Sequence, residues 1–403
     1  MQRRLSALMI VGPAIAAAGL LAVPIQSFAA ERTVHIAGFG AKSGVVRSFG
    51  VNTEAVMLAA AQQINESGGV KLGDGATGKI KVTFYDDRCN AEEGISVLRR
   101  IATTDAVVAV GPTCSNVAEP LFGILQKTVG DDKDTGLQFP VFTDTAIKGG
   151  LAKISEWAFR NVPNEMEMYR QMFKWIKAEN PDLKTVFGGV EEDFAHSRFT
   201  WYKVMKTRSG DAGYEVLGEA KWLLADTNFT TQVRKMRKAK ADVVAISAHP
   251  FTTCGVLKEM QRQRVKPKLL VGLTSSSSLE TLQGCAKQAE GIIIPTSFAP
   301  VTPAAKMAAE AAAKLGGSAD LHSAAAWEIV NVLKGVIESQ KVMAKADTRK
   351  ADRRKIRDGL ANLKTTGGLL GKIQRTDEGE AVKPYVYVHA KAGEWAVLHN
   401  PIK

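Results

Sequence analysis

The chain has 403 residues, of which 45% are hydrophobic and 23% charged, the balance of an ordinary globular protein. This length favours two or three domains and allows a large apolar core without help from metals or dense disulfides. With only four cysteines, the composition excludes a small disulfide-framework protein.

Residues 1–29 have the three parts of a secretory signal peptide. Arg3 and Arg4 form the positive start, an apolar stretch follows to about residue 23, and residues 27 and 29 are small. A retained membrane anchor is the alternative, which two prolines in the stretch disfavour. We therefore predict an exported, periplasmic protein with oxidisable cysteines. Cleavage of this segment removes the two arginines and lowers the formal net charge of the protein from +12 to +10.

Short apolar runs then alternate with longer amphipathic ones, and the apolar runs show little polar alternation, which is typical of strands buried on both faces. Predicted strands lie at residues 33–38, 79–85, 106–110, 139–143, 184–190, 214–219, 242–247, 268–273 and 291–295. Predicted helices lie at 53–66, 92–102, 117–127, 165–178, 197–208, 229–239 and 253–263. This alternation predicts parallel, doubly wound α/β sheets.

The last third of the chain has a different sequence pattern from the part before it. Residues 302–340 are Ala-rich and helical, and residues 385–388 and 395–398 form a predicted hairpin pair. One doubly wound sheet rarely takes up about 370 residues, so we predict two similar lobes. No Pro/Gly-rich linker separates independent halves.

Two glycine patterns suggest a nucleotide site but do not fit one. Gly38–Gly44 follows a predicted strand, yet its third glycine comes one residue late for a dinucleotide fingerprint. In Gly73–Lys79 most of a P-loop is present, but Ile80 stands where a Ser or Thr would hold magnesium. We interpret both as loop glycines and predict no cofactor.

The sequence also contains few features that are typical of a catalytic site or of a nucleic-acid-binding site. The six histidines show no paired metal-ligand spacing, and the hydroxyl run at residues 274–278 has no nucleophile elbow. The densest basic run, residues 345–357, has no interleaved aromatic residues, so we interpret it as a solvated helix face. We predict no metal, no enzyme and no nucleic-acid partner.

Two cysteines follow neighbouring predicted strands. Cys89 ends the run Tyr85–Cys89, and Cys114 lies in Gly111–Ser115, so their positions suit a disulfide. Ser115 or Asn116 would cap the next helix, leaving backbone N–H groups where open α/β sheets bind ligands and where a carboxylate is well received. A purely structural disulfide with an ordinary N-cap is the alternative. Cys254 and Cys285 are candidates for a second bridge, without support from any motif.

Five short motifs follow one another along the chain: Ala41-Lys42-Ser43-Gly44 with Phe49-Gly50, Tyr85-Asp86-Asp87 with Cys89, Gly111 with Cys114-Ser115, Phe139-Pro140 with Thr143-Asp144-Thr145, and Asp193-Phe194. In these motifs the chain resembles the type I periplasmic solute-binding proteins of ABC importers, specifically the leucine/isoleucine/valine-binding family. The resemblance runs from about residue 32 to nearly the end, and its most specific part is the Tyr-Asp-Asp…Cys and Cys-Ser pair.

The resemblance implies two α/β lobes joined by three crossings, with a small ligand enclosed between them. We place the crossings near residues 161, 297 and 373. The first lobe then comprises 30–160 with 298–372, and the second 161–297 with 373–403. The resemblance further implies that the protein is a monomer and delivers its ligand to a membrane ABC permease.

The resemblance also implies a ligand site. Ser115, Thr143 and Thr145 take the positions that bind the ligand carboxylate, and Cys114 adjoins them. Phe49 matches a pocket tyrosine. Phe194 matches a second pocket tyrosine, although Ala195 replaces the glycine that follows that tyrosine in the family. His249 stands at the position of a third pocket tyrosine.

One departure from the family concerns ligand class. Thr274 stands where amino-acid binders place an acid that pairs with the ligand ammonium, and a buried charge without its partner costs roughly 3–5 kcal/mol. Either the ligand lacks an α-amino group, or another acid substitutes, with Asp144, Glu192 and Asp193 as candidates.

Together these features predict an exported solute-binding subunit of an ABC importer that captures a small carboxylate-bearing solute by hinge closure. A sensory module that reports a ligand to a receptor is the second interpretation, and an exported α/β enzyme is the third. Because Thr274 is uncharged while Phe49, Phe194 and His249 offer flat walls, we expect a hydrophobic or aromatic body on the ligand. Branched-chain amino acids are the alternative.

Overall fold

The computed structural model describes residues 32–401, so the predicted signal peptide at 1–29 lies outside the described residues. Sixteen strands follow one another along this part of the chain. They are β1 (Arg32–Gly40), β2 (Val70–Lys71), β3 (Thr77–Asp86), β4 (Val108–Val110), β5 (Val141–Thr143), β6 (Ala158–Arg160), β7 (Thr185–Glu191), β8 (Glu215–Trp222), β9 (Val243–Ser247), β10 (Leu269–Gly272), β11 (Ile293–Thr296), β12 (Thr365–Gly368), β13 (Gly371–Arg375), β14 (Ala381–Val382), β15 (Val386–Lys391) and β16 (Glu394–His399).

The helices lie between these strands, as a doubly wound fold requires. They are α1 (Arg47–Glu66), α2 (Ala91–Thr103), α3 (Ser115–Gly123), α4 (Glu165–Glu179), α5 (Ala195–Phe199), α6 (Lys206–Asp211), α7 (Thr230–Ala239), α8 (Pro250–Arg262), α9 (Leu279–Ala289), α10 (Pro303–Lys314), α11 (Leu321–Ser339) and α12 (Arg349–Ala361). A π-helical segment, Thr200–Met205, joins α5 to α6. No helix among the described residues is long and apolar enough to cross a membrane.

Two sheets carry the fold. The first has the order β2-β3-β1-β4-β5-β6, and the second has the order β16-β15-β11-β10-β9-β7-β8. Within each sheet the central strands are parallel, while β2 and the hairpin β15–β16 are antiparallel edge additions. The prediction of two doubly wound parallel sheets is confirmed, and so is the hairpin near the end of the chain.

Both sheets are buried on their two faces. In β9, Val244 and Ile246 belong to one apolar cluster, whereas Val243 and Ala245 belong to another on the opposite face. This alternation explains why the strands read as continuous apolar runs. The first sheet also packs against α10, α11 and α12, which follow strands β7 to β11 of the second sheet in sequence.

Some elements differ from the sequence prediction. The helix expected over 117–127 ends at Gly123, because the following segment turns and Leu125 forms an isolated bridge with Leu137. Helix α9 and strand β6 were not predicted, and neither was the small antiparallel sheet β12–β13–β14. The expected crossing point at residue 373 falls inside β13 of this small sheet. The lobe boundaries therefore stay predictions.

Both candidate disulfides are present. Cys89 pairs with Cys114 beside the carboxyl ends of β3 and β4, with Cα atoms 5.6 Å apart. Cys254 pairs with Cys285 and thereby joins α8 to α9, with Cα atoms 5.4 Å apart. Each lobe thus has one covalent cross-link next to its loops.

The second disulfide should contribute measurably to stability. It closes a loop with a sequence separation of 31, for which the chain-entropy model gives roughly 3.7 kcal/mol. We expect the double variant Cys254→Ala/Cys285→Ala to lose about that free energy of unfolding in denaturant titrations of the exported protein. Non-reducing peptide mapping is the control for pairing, and free thiol at Cys89 or Cys254 would contradict the assignment.

Candidate functional site

The predicted carboxylate clamp lies at the carboxyl ends of the first sheet. Ser115 is the first residue of α3, Thr143 ends β5, and both are almost fully buried, as is Thr145. Thr143 Oγ1 donates to the carbonyl of Pro112 at 2.7 Å and accepts from the backbone N–H of Ala146 at 3.2 Å. This hydroxyl therefore fixes the loop rather than remaining open to a ligand.

The other two hydroxyls of the clamp differ in availability. Ser115 Oγ accepts from the backbone N–H of Lys148 at 3.2 Å and can still donate. Thr145 Oγ1 is buried and makes no hydrogen bond of normal geometry. A buried hydroxyl without a partner is costly, so Thr145 is the residue of the three whose hydroxyl is least satisfied within the protein.

The three predicted wall residues come together. The ring of His249 lies 4.1 Å from that of Phe194 and 6.0 Å from that of Phe49, measured between ring centroids. Phe49 comes from the first turn of α1, whereas Phe194 and His249 precede α5 and α8 of the other sheet. The structure thus brings all three rings to the junction of the two lobes.

A fourth ring in this wall was missed by the sequence analysis. His322, in the first turn of α11, stacks on Phe49 with ring centroids 4.1 Å apart and is 1% exposed. It lies more than 270 positions from Phe49 in the chain, and no motif marks it. Only the packing of α11 against α1 brings the two rings together.

A chain of hydrogen bonds crosses from one lobe to the other behind this wall. His322 Nε2 lies 2.9 Å from Ser275 Oγ, which in turn lies 3.2 Å from His196 Nδ1. His196 Nε2 then contacts Glu165 Oε1 at 2.9 Å. Because His322 belongs to the side of the first sheet and the other three to that of the second, this chain depends on how the lobes meet.

Thr274, which we predicted to stand where amino-acid binders place an acid, contacts an acid from another element of the structure. Thr274 donates its hydroxyl to Glu165, which starts α4 and also accepts from Thr200 Oγ1 at 2.6 Å. Burial raises the pKa of Glu165, but His196 and the hydroxyls outweigh it and hold that pKa below its usual range. The carboxylate of Glu165 therefore lies next to Thr274, although it belongs to another element. Both of its oxygens already accept hydrogen bonds from protein groups.

The three acids considered as substitutes have different environments. Glu192 lies near the surface with Arg198, and Asp193 accepts from the backbone N–H of Leu224. Asp144 alone is fully buried: Oδ2 accepts from Thr53 Oγ1 at 2.9 Å, and Oδ1 has no partner. Burial raises its pKa to about 6 despite the nearby hydroxyls.

The wall histidine His249 has its own carboxylate. Its Nδ1 lies 2.5 Å from Glu191 Oε1 at the end of β7, and Thr252 Oγ1 donates to the other oxygen at 2.6 Å. Burial raises the pKa of Glu191, but His249 outweighs this and the pKa stays below its usual range. The ring of His249 is thereby fixed in place.

The lobes are in contact at the site. Asn116 Oδ1 of α3 accepts from the backbone N–H of Ala195 in α5 at 2.6 Å, and Phe194 packs into the core beneath the first sheet. Outside this contact, residues of α1 and α8 enclose a cavity of about 440 Å³, with Phe49 and Phe251 in its wall. Among residues 32–401 no cluster of His, Cys, Asp and Glu is arranged to hold a metal ion.

This site and fold correspond to a known class. A family model described as "Periplasmic binding protein" matches residues 33–394, so the chain belongs to that family. The class is that of two-lobed proteins which bind a solute between their sheets.

Particular relatives can be named within this class. Over 284 residues the chain is 25% identical to the leucine-, isoleucine-, valine-, threonine- and alanine-binding protein of Pseudomonas aeruginosa, covering 69% of this chain and 71% of that one. A shorter match of 109 residues to the Leu/Ile/Val-binding protein of Citrobacter freundii is 28% identical and spans 28% of that relative and 27% of this chain.

Solved structures show the same fold. A branched-chain amino acid transporter substrate-binding protein from Streptococcus pneumoniae, in complex with isoleucine, superposes with a TM-score of 0.75 at 19% identity, covering 91% of this chain and 98% of that one. A solute-binding protein from R. palustris, in complex with 4-hydroxybenzoate, gives a TM-score of 0.75 at 16% identity, with 91% and 96% covered. These relatives and neighbours are solute-binding proteins rather than enzymes.

The buried Asp144 should make stability depend on pH. Its pKa of about 6 lies above the unfolded value, so the folded state binds the extra proton, and stability falls as pH rises from about 4 to 6. Above that window Asp144→Asn should be more stable than the wild type by roughly 3 kcal/mol, and below pH 4 the difference should vanish. Thermal unfolding of the ligand-free protein at pH 4 and pH 8 measures this.

The matched control is Asp182→Asn, which removes the same charge at an exposed position. It should show no comparable difference between the two pH values. Equal behaviour of the two variants would mean that Asp144 is not desolvated as described.

Proposed function

We propose that the chain is the exported solute-binding subunit of an ABC importer and captures a small carboxylate-bearing solute between its two lobes. The observation that carries this proposal is the junction itself. There the ring of His249 lies near the rings of Phe49 and Phe194, which come from different lobes, and Thr145 in the first lobe has a buried hydroxyl with no hydrogen bond of normal geometry.

The carboxylate end of the solute is assigned to the first lobe. Thr145 Oγ1 and Ser115 Oγ supply hydroxyl donors, and the start of α3 supplies backbone N–H groups. A helix start favours negative charge because its first N–H groups have no intrahelical partners. No buried lysine or arginine is needed for such a site.

The body of the solute is assigned to the aromatic wall. Flat rings on Phe49, Phe194, His249 and His322 suit stacking or edge contacts with an aromatic body, which add up to about 1.5 kcal/mol beyond area burial. The protein of R. palustris that shares this fold is in complex with 4-hydroxybenzoate, and that of S. pneumoniae with isoleucine. The fold therefore accommodates both ligand classes.

The charge around the site favours a ligand without an ammonium group. Glu165, which approaches Thr274, has both oxygens occupied by protein donors. The remaining candidate acid, Asp144, is buried and has a pKa raised to about 6, so it carries a charge only above that pH. An α-amino group would have to pair with this residue or remain unpaired, so amino acids are the second candidate.

The proposed role in transport rests on the compartment of the protein and on the closure of its two lobes around the ligand. The N-terminal segment predicts export, and the family match places the chain among periplasmic binding proteins. In the proposed cycle, ligand binding favours the arrangement in which Asn116 and Ala195 meet, and a membrane permease recognises that arrangement.

The clamp is tested by removing its hydroxyls one at a time. Thr145→Ala should weaken ligand binding by about 1–3 kcal/mol, because it removes a bond to a charged group, whereas Thr145→Ser should keep most of the affinity. Thr143→Val should chiefly lower the free energy of unfolding, since that hydroxyl holds Pro112 and Ala146. Unchanged affinity in both Thr145→Ala and Ser115→Ala would show that the carboxylate binds elsewhere.

Ligand class is tested by calorimetry on the exported protein. We expect benzoate or 4-hydroxybenzoate to bind with micromolar or tighter Kd, and leucine and valine to bind at least about tenfold more weakly. Phe49→Ala should remove most of the aromatic affinity. Micromolar binding of leucine or valine, with none for aromatic or keto acids, would contradict the ligand class and leave solute capture standing.

A further inference from the structure

Helix α7 of the second lobe presents a concentrated positive charge to solvent. Its sequence, TTQVRKMRKA, contains four cations and no acid. Val233 and Met236 are buried in the apolar cluster of the second sheet, whereas the exposed residues of the helix are Thr231 and the four cations. We call these four cations the basic face: Arg234, Lys235, Arg237 and Lys238.

The basic face has no partner within residues 32–401, where none of its four side chains makes a hydrogen bond or an ion pair. Arg234 lies three positions before Arg237 and four before Lys238, and Lys235 lies three before Lys238. Like charges at these spacings repel each other and destabilise a helix. The negative end of the helix dipole attracts Arg237 and Lys238 in the last turn, but Arg234 and Lys235 lie in the middle of the helix. The fold therefore carries this repulsion without compensation.

Another basic helix of the same chain, α12, shows how cations are used by the fold. Arg354 pairs with Asp358, four positions further on, at 2.9 Å. Arg357 donates to the carbonyl of Glu156 at 2.8 Å, and Arg353 donates to two backbone carbonyls of the first lobe at 2.8 and 3.0 Å. These cations hold α12 in place, which the cations of the basic face do not do for α7.

Further cations extend the basic face at both ends of α7. Gln263 at the end of α8 donates its side-chain N–H to the carbonyl of Thr230 at 2.9 Å, so the end of α8 lies against the start of α7. Arg264 and Lys266 follow directly, and Lys240 follows the other end of α7. The side chains of all three are exposed, and in the described part of the chain they form no ion pair.

The acids around α7 do not neutralise this charge. Asp242 pairs with Lys268 at 2.8 Å, and Glu259 pairs with Arg262 at 2.6 Å. Asp226, in the loop before α7, accepts from a backbone N–H of its own turn at 2.9 Å. The positive charge of the basic face and its flanks is therefore left for a partner outside the chain.

We propose that the basic face of α7 binds the anionic surface of a lipid bilayer. A cluster of four to eight lysines and arginines on one side of a helix is the pattern that anionic lipid headgroups attract. The predicted export brings the chain to a compartment bounded by membrane. The proposal does not depend on which solute the cleft binds.

The composition of the basic face favours a bilayer over a protein partner. The centre of a specific protein interface is depleted in charged residues and depends on buried aromatic or apolar anchors. Among the exposed residues of α7 there is no apolar side chain. A diffuse array of headgroup charges requires no such anchor, because the attraction is electrostatic and acts over about a Debye length.

The test is co-sedimentation of the full exported chain with vesicles of phosphatidylcholine, with and without about 30% phosphatidylglycerol. The protein should bind the anionic vesicles at least about tenfold more tightly than the neutral ones, and about 0.5 M NaCl should release it. Equal binding to both vesicles, failure to bind the anionic ones at low salt, or binding that salt does not weaken would each overturn the proposal.

The face is located with two variants that each remove four positive charges. The α7 variant should bind anionic vesicles at least about tenfold more weakly than the wild type. The control variant changes exposed lysines of α10, α12 and β13 and should lose less than about twofold. Equal losses would assign the binding to net charge and overturn the assignment to α7. The α7 variant is Arg234→Gln/Lys235→Gln/Arg237→Gln/Lys238→Gln, and the control is Lys306→Gln/Lys314→Gln/Lys350→Gln/Lys372→Gln.

Two further measurements separate this binding from misfolding and from a protein partner. The Tm of the α7 variant should equal or exceed that of the wild type, because the substitutions relieve like-charge repulsion. Arg234→Lys/Arg237→Lys keeps the charge and should keep vesicle binding within about twofold, since a bilayer does not require the bidentate geometry of arginine. A lower Tm in the first variant, or lost binding in the second, would overturn the proposal.

Discussion

The meeting of the two sheets depends on the neutralisation of buried carboxylates. Asp144, Glu165, Glu191 and Asp320 are each at most 5% exposed, and a carboxylate taken out of water must be paired, hydrogen-bonded or protonated. Glu165 and Glu191 are satisfied by histidines and hydroxyls, whereas Asp144 and Asp320 each keep an oxygen without a partner. The first pair is therefore fully hydrogen-bonded, whereas each member of the second pair keeps a buried oxygen whose loss of hydration is not compensated.

The parts of the site that sequence could predict were those attached to local motifs. The resemblance to a known family assigned Phe49, Thr145, Phe194 and His249, which lie beside strand ends or helix starts, where open α/β sheets bind ligands. His322 and Glu165 begin helices in distant parts of the chain, and their roles arise from packing between α11, α1 and the second sheet. No periodicity or spacing encodes such a contact.

The same distinction applies to the fold. Long buried strands were predicted nearly to their ends, because their pattern is dictated by burial on both faces. Strand β6 has only three residues, and the β12–β14 sheet is short, partly polar and contains several glycines, so neither gives a clear periodic pattern. The sequence showed that position 274 is uncharged, but it did not show that Glu165 of a distant helix contacts this residue.

The packing of α10, α11 and α12 on the first sheet has a consequence for the order of folding. Residues 305–360 complete the apolar cluster that begins with Val34 and Ile36, so the first lobe lacks part of its core until most of the chain is available. Contacts of such long sequence separation are made late and slowly. The first lobe therefore cannot complete its core until synthesis is nearly complete, which would keep this part of the chain suited to the export proposed for it.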